Sequence, residues 1–382
     1  MKNLTAEKRK QQLLTIFDAA VAAVSGQQAV EHAIDNDSAY DPDTIIAVGK
    51  AAVGMCRGAL NRFPKAKQAF VVTKYDHADA DILSRQNVTV METAHPVPDQ
   101  QSLKAGAELR SLVQSLTMDS RLLLLMSGGA SALSESLPDG MSLDDLQSIT
   151  DDMLSTGKTI GEINRKRKEF SQIKDGKLIA QFEGAEIRVY AISDVEGDSI
   201  ATIGSGLGDC HRAQVKANSS IIASNQISRE KAQASATNLG LNVKLNEETL
   251  YGDVFELAKN IGTFLKTAES GVYIWGGEPT IMLPDKPGQG GRNQSLALAL
   301  SEHIQGRDDI TILVAGTDGT DGPTNAAGGI VDGDTCSDSA AVADALQRAD
   351  AGSYLRKQNN LLVTGPTNTN VMDLAIVIID GA

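Results

Sequence analysis

Aromatic side chains are scarce in this chain, with one Trp and only 4% Phe, Trp and Tyr together. That leaves too few stacking platforms for single-stranded nucleic acid. Cysteine is scarcer still. Cys56, Cys210 and Cys336 stand alone, without Cys-x-x-Cys or His–Cys spacing, which argues against a zinc site or a disulfide framework and predicts inert thiols in a reducing compartment. Long apolar runs are missing as well: the Leu-rich stretch, residues 122–126, is far short of a bilayer span. The N-terminal segment Met1-Lys2-Asn3-Leu4-Thr5-Ala6-Glu7-Lys8-Arg9-Lys10 is charged and has no apolar core, so it does not read as a signal peptide. Positive charge is short too. Against 49 Asp and Glu stand 35 Lys and Arg, for a net charge of −14. The resulting field repels nucleic acid and anionic membrane surfaces, so an anionic ligand must be held by a few local cations. A soluble, cytoplasmic protein is expected.

Two nucleotide-binding signatures are absent. Gly204-Ser205-Gly206-Leu207-Gly208-Asp209 fails the G-x-G-x-x-G pattern at its last position, which disfavours a nicotinamide enzyme of the usual kind. Gly157-Lys158-Thr159 imitates the end of a P-loop, but Asp152 stands where that motif needs glycine and the segment follows a helical pattern, not a strand.

What is present is enough for two domains: 382 residues, 41% hydrophobic and 22% charged, can bury two cores. Leu13, Leu14, Phe17, Val21 and Val24 recur at helical spacing up to Gly26, so an amphipathic helix opens the chain. Apolar runs at 44–48, 69–73, 88–91, 122–126 and 189–193 do not alternate with polar residues. They read as strands covered on both faces. Helical patterns at 51–62, 102–116 and 143–154 lie among them, predicting a mainly parallel sheet between helices, with ligands beyond the carboxyl ends of its strands. Farther on come a strand at 219–223, a helix at 228–238, a strand at 242–245 and a helix at 254–265. The last part reads as strands at 272–275, 280–283, 310–315 and 375–379, with helices at 294–304 and 337–348. Residues 239–252 have little apolar patterning, which places the boundary between a domain 1–240 and a domain 241–382.

The chemistry-bearing residues fall on turns. Gly49-Lys50 closes the first strand and opens a helix, setting an ammonium beside free N–H groups, as an anionic oxygen requires. Ser127-Gly128-Gly129-Ala130-Ser131 follows the Leu-rich strand and can form a backbone nest with two hydroxyl donors for phosphate oxygens. Asn164-Arg165-Lys166-Arg167-Lys168, Ser171, Lys174 and Lys177 concentrate cations, and helical spacing puts Arg167, Ser171 and Lys174 on one face. Asp194 and Asp198 end another strand and are suited to holding Mg²⁺ through water or accepting a proton. Later, Gly276-Gly277-Glu278, Gly290-Gly291-Arg292-Asn293-Gln294 and Gly316-Thr317-Asp318-Gly319-Thr320-Asp321-Gly322 put a guanidinium, an amide and carboxylates on glycine turns, equipment for a phosphate with a metal. Gly365-Pro366-Thr367-Asn368-Thr369-Asn370 adds a polar turn near the end. His95, in Ala94-His95-Pro96-Val97-Pro98-Asp99, either serves as a base or tethers its Pro-rich loop.

In this order the segments resemble the class II glycerate kinases, the family whose C-terminal portion is called the MOFRL domain. The resemblance runs from Val48-Gly49-Lys50-Ala51-Ala52, through His95 to Asp99, Ser127 to Leu133, Asn164 to Lys174, Ser193-Asp194, Gly276 to Glu278, Gly290 to Gln294 and Thr317 to Gly322, to Thr369-Asn370-Val371-Met372-Asp373. It implies ATP-dependent phosphorylation of D-glycerate to 2-phosphoglycerate with Mg²⁺. The implied α/β architecture is an N-terminal Rossmann-like three-layer domain and a smaller α/β domain, with the active site in the interdomain cleft; a homodimer is one candidate assembly. On this resemblance Lys50, Arg292 and Asp194 are catalytic, the first two steadying the phosphoryl group and the glycerate carboxylate. Ser127, Gly128, Gly129, Ser131, Lys174, Asn293, Gly365, Thr367 and Asn370 hold the nucleotide, and Asp194, Asp318 and Asp321 are the metal candidates. Three positions depart from the family pattern: Asp175 where Lys-Gly-Gly is usual, Ser295 where Glu is common, and Leu207 in place of Pro. The rival readings are an NAD(P)H-dependent hydroxypyruvate reductase and a non-catalytic phosphosugar-binding regulator.

Overall fold

The computed structural model describes residues 2–37, 40–158 and 160–381. Thr159 of the P-loop imitation therefore lies outside the described residues. The chain folds as two compact units, one of Ser25–Ser224 and one of Met1–Val24 together with Asn225–Ala382.

In the first unit, strands β1 (Thr44–Val48), β2 (Gln68–Lys74), β3 (Val88–Thr93), β4 (Arg121–Met126), β5 (Glu186–Ile192) and β6 (Lys216–Ala223) form one sheet in the order β3-β2-β1-β4-β5-β6. Every pairing is parallel. Alternate side chains leave a strand on opposite faces, and in the centre of this sheet both faces are covered. Ile46, Val48, Leu122, Leu124 and Met126 pack with Leu109 and Val113 of the Gln100–Ser115 helix, while Ile45, Ala47, Leu123 and Leu125 on the other side are equally buried. This double burial is why the runs do not alternate. The order reverses between β1 and β4, which makes their loop ends the topological switch point where parallel sheets bind ligands.

The second unit holds a mixed sheet. Its strands are β7 (Val243–Glu247), β9 (Gly271–Gly277), β11 (Ile310–Gly316), β12 (Gly328–Asp332), β13 (Leu361–Leu362) and β14 (Asp373–Ile379), with a short β8–β10 pair (Gly252–Asp253 and Pro279–Thr280) beside it. The order is β13-β12-β11-β14-β9-β7, antiparallel except for β7 with β9.

Three sequence expectations change here. The opening helix, Lys2–Ala23, belongs to the second unit, because Leu13, Ile16, Phe17 and Ala20 pack on Ile274, Leu313, Leu374 and Ile376 of that sheet. Arg9 seals the contact, donating from Nε to Thr311 Oγ1 at 2.9 Å and pairing with Asp380. Residues 239–252 are not a linker, since they contain edge strand β7, and an edge strand carries polar residues such as Lys244 and Glu247 to discourage further pairing. The division by packing thus falls at Val24/Ser25 and Ser224/Asn225 instead of near 240. The expected strand at 280–283 shrinks to β10, and Met282 and Leu283 are exposed. No single helix among the described residues is long and apolar enough to cross a membrane.

Candidate functional site

At the switch point, two loops are stitched together. The Lys50 N–H donates to Gly128 O at 2.9 Å, and the Ala51 N–H donates to Ser127 Oγ at 3.0 Å. A Cβ at Gly49 would lie 2.1 Å from that Oγ, so the approach demands glycine. Three side chains then converge on Gly128-Gly129. A Cβ at Gly128 would fall 1.9 Å from Asp194 Oδ2, and one at Gly129 would fall 3.0 Å from His95 Cδ2 and 3.2 Å from Lys50 Cγ. The Ala52–Arg62 helix begins here without a side-chain cap, leaving first-turn N–H groups for an anionic ligand, whereas the Ala130, Ala132 and Leu133 N–H groups of the next turn already donate to backbone oxygens. Lys50 is half-buried and makes no ion pair among the described residues. Burial, reinforced by Lys50 and Lys74, pushes the His95 imidazole down to about 4, so the ring is neutral at pH 7. Ser131 Oγ lies 2.8 Å from Ser205 Oγ. The structure therefore groups Lys50, Ser127, Gly128, Gly129, Ser131 and Asp194, and adds His95.

Lys174 does not join them. Its ammonium is fully buried on Glu135, which also accepts from Ser171 Oγ at 2.6 Å. Burial pushes this ammonium down. The basic segment leaves its helix at Phe170, so Ser171 and Lys174 turn inward instead of sharing an outer face with Arg167. The departure at Asp175 has a visible consequence: its φ is +57°, a left-handed conformation that favours glycine, and its carboxylate pairs with Arg212 at 2.7 Å.

In the second unit, Gly316, Asp373 and Gly277 stand side by side in register on β11, β14 and β9. Asp373 is buried, and its two oxygens receive Arg292 Nε at 2.8 Å and Asn293 Nδ2 at 2.9 Å. Arg292 Nη1 reaches Glu278 at 2.8 Å. Burial pushes the Asp373 carboxyl up to about 6 against the pull of Arg292. Burial works to lower the Arg292 value as well, but Asp373 and Glu278 together outweigh it and hold the guanidinium above its usual value.

Asp321 was expected as a metal ligand, but it caps a helix. Its oxygens accept the Asn293 and Gln294 N–H groups at 3.1 and 2.8 Å, at the start of the Arg292–His303 helix. Burial pushes this carboxyl up to about 6. The Asn293 amide, expected on the nucleotide, is buried and positions Asp373. Thr367 Oγ1 donates to Thr317 O at 2.6 Å, and Asn370 Oδ1 accepts the Met372 N–H at 3.2 Å, so both side chains hold their own loops together. Gly365, at φ +71°, has open space beside its Cα. Asp318 Oδ1 accepts from Thr320, and the residue remains half-buried. No group of three or more His, Cys, Asp or Glu converges as a metal site among the described residues.

Nothing in the sequence alone assigns Asp373 a role. The available signal was an acid opening a run of six apolar residues, Leu374 to Ile379, the place where a strand leaves the core. Glu278 and Lys74 gave weaker signals, since their neighbours are known only from the fold.

A family model described as a domain of unknown function (DUF4147) matches residues 12–239, and the MOFRL family model matches residues 271–373. A D-glycerate 2-kinase of Thermotoga maritima is 31% identical, with 98% of this chain and 99% of that one covered. A protein of Agrobacterium vitis named putative hydroxypyruvate reductase is 30% identical over 97% of this chain and 94% of its own length. A crystal structure of a Thermotoga maritima glycerate kinase matches with a TM-score of 0.89 at 30% identity, covering 98% of this chain and 100% of that one. With both family models matched and a relative 31% identical over nearly the whole chain, this chain belongs to the class II glycerate kinase family with its C-terminal MOFRL domain.

Proposed function

We propose that this protein transfers the γ-phosphoryl group of ATP to the 2-hydroxyl of D-glycerate, giving 2-phosphoglycerate and ADP. The observation that carries the reading is the convergence on Gly128-Gly129 of a Lys50 ammonium with no ion pair among the described residues, the uncapped start of the Ala52–Arg62 helix and a carboxylate. Phosphoryl transfer asks a protein mainly to position reactants and neutralise charge. Lys50 supplies a cation to the transferring group, and the backbone of Gly128 to Ser131 supplies donors to the donor's phosphates. Asp194 takes the proton of the 2-hydroxyl. Within the second unit, Arg292 is held in one orientation by Glu278 and Asp373. A Mg²⁺ ion fits the donors only if phosphate and water provide most of its ligands, since no three His, Cys, Asp or Glu side chains converge among the described residues. Asp318 would hold it, or Asp194 in the alternative assignment, and when bound it neutralises phosphate charge. His95, neutral at pH 7, adds no positive charge beside Lys50.

The protein acts in the cytoplasm, where its three free cysteines stay reduced. A hydroxypyruvate reductase would need a nicotinamide cradle, and the switch point carries Gly-Lys and Ser-Gly-Gly turns instead of G-x-G-x-x-G. A binding regulator would have no use for Asp194 beside Lys50. Incubation with ATP, Mg²⁺ and D-glycerate, followed by phosphorus NMR, is expected to give 2-phosphoglycerate. Hydroxypyruvate-dependent NADH oxidation without ATP, or no turnover of either kind, would overturn the reading.

A further inference from the structure

Arg167, in the last turn of the Ile160–Phe170 helix, has a buried Nε with no hydrogen-bond partner. Its guanidinium forms no ion pair among the described residues, although the chain has 49 acids for 35 Lys and Arg. A buried donor left unsatisfied is unfavourable, so an anionic group that met it would recover that penalty. Arg167 lines a cavity of about 490 Å³ within the Ser25–Ser224 unit. The facing walls are largely apolar: Pro96, Val97 and Pro98 from the loop after β3, and Leu143 and Leu146 from the Leu143–Ser155 helix. Gln147 and Thr150 bring hydrogen-bonding groups to the same cavity, and Asp144 brings an acid. The other acid, Asp99, is engaged, accepting from the Ser102 N–H at 2.9 Å and Tyr75 OH at 2.7 Å. Pro96 directly follows His95, which lies against Gly129 beside Lys50, so the cavity adjoins the phosphate-binding turn within one unit.

We propose that this cavity receives the base and ribose of the nucleotide donor, with Arg167 meeting its phosphate side; the proposal rests on the kinase reading above. Size and polarity select the occupant. Pockets of roughly 300–1,000 Å³ with apolar walls and few polar groups enclose ligands of nucleoside size. D-Glycerate, a three-carbon acid with two hydroxyls, has almost no apolar surface to lay against two prolines, a valine and two leucines. A purine has two apolar faces and an edge of hydrogen-bonding groups that Gln147 and Thr150 can meet.

The test uses the full chain. ADP affinity is measured by calorimetry without glycerate, and KM is measured separately for ATP and for D-glycerate. Val97→Asp places a charge on a wall residue that is 62% exposed, so the fold tolerates it; Arg167→Ala removes the cation. Each is expected to weaken ADP binding and raise KM for ATP about tenfold, while KM for D-glycerate stays within about twofold. Arg167→Lys should recover part of the loss. ADP affinity unchanged in both variants overturns the proposal, and so does a rise confined to KM for D-glycerate, which would make this the acceptor's pocket. If the wild type binds ADP in a Val97-dependent way yet does not phosphorylate glycerate, the nucleotide cavity stands and the acceptor assignment falls.

Discussion

The loop ends of the two sheets hold similar residues in opposite states. In the parallel unit, Lys50 and Arg167 lie half-buried without partners among the described residues. In the mixed unit, Arg292 is bound by Glu278 and Asp373, and Asp321 is bound by two backbone N–H groups. Unpaired cations are a standing attraction for an anion and add little to folding. A closed network fixes geometry, and breaking it strands a buried charge. On the proposed reading the first unit receives phosphate, while the second holds one guanidinium in a fixed direction.

Several measurements would break or sharpen this contrast. The largest effect is expected for Lys174→Met, which leaves Glu135 charged and buried; stability should fall by about 4 kcal/mol in urea unfolding, as for other broken buried pairs. The double variant Lys174→Met with Glu135→Leu should regain most of that loss. If Lys174→Met left stability intact and raised only KM for ATP, the structural assignment of this pair would be wrong. Next comes Lys50→Met, expected to lower kcat/KM by about 10²-fold or more, because one charge-stabilising contact is worth that much. Its melting temperature should not move; a value of kcat/KM within about threefold of wild type would remove Lys50 from the reaction.

Arg292→Met should do both, reducing kcat/KM and destabilising the chain by about 2 kcal/mol, less than a fully buried pair because the guanidinium is partly solvated. An active, fully stable Arg292→Met would erase the distinction between the two regions. The smallest effect is a pH slope. Asp321 and Asp373 carry folded-state values raised to about 6 from 3.8, so between those limits the folded state binds more protons than the unfolded one. Their contribution is full below about 4 and is lost as pH rises through about 6. Asp321→Asn should flatten that decline by about 1–2 kcal/mol when urea midpoints at pH 4.5 and 6.5 are compared with wild type. An unchanged slope would mean that Asp321 titrates near its ordinary value.

The sequence made the parallel sheet legible because both faces of its central strands are buried, and a doubly covered strand must be apolar throughout. The turn glycines were legible for a related reason: Gly49, Gly128 and Gly129 sit where a side chain would meet Ser127, Asp194 or His95. The edge strand β7 was not, since an edge is polar by need and resembles a linker. Nor was the allegiance of the first helix. Its apolar stripe shows that it packs on something, and periodicity carries no information about which sheet.

By itself, then, the amino-acid order determined the elements, the phosphate-suited turns, the shortage of cations and the family. Those follow from local chemistry: side-chain period, glycine's freedom, and charge. Only the tertiary structure decided which charged groups remain available. Lys174 and Asp321 looked as exposed in sequence as Lys50 and Asp318, but Glu135 and the start of the Arg292–His303 helix claimed them. Burial and pairing depend on what arrives from distant parts of the chain, and those partners lie 39 residues from Lys174 and about 28 from Asp321.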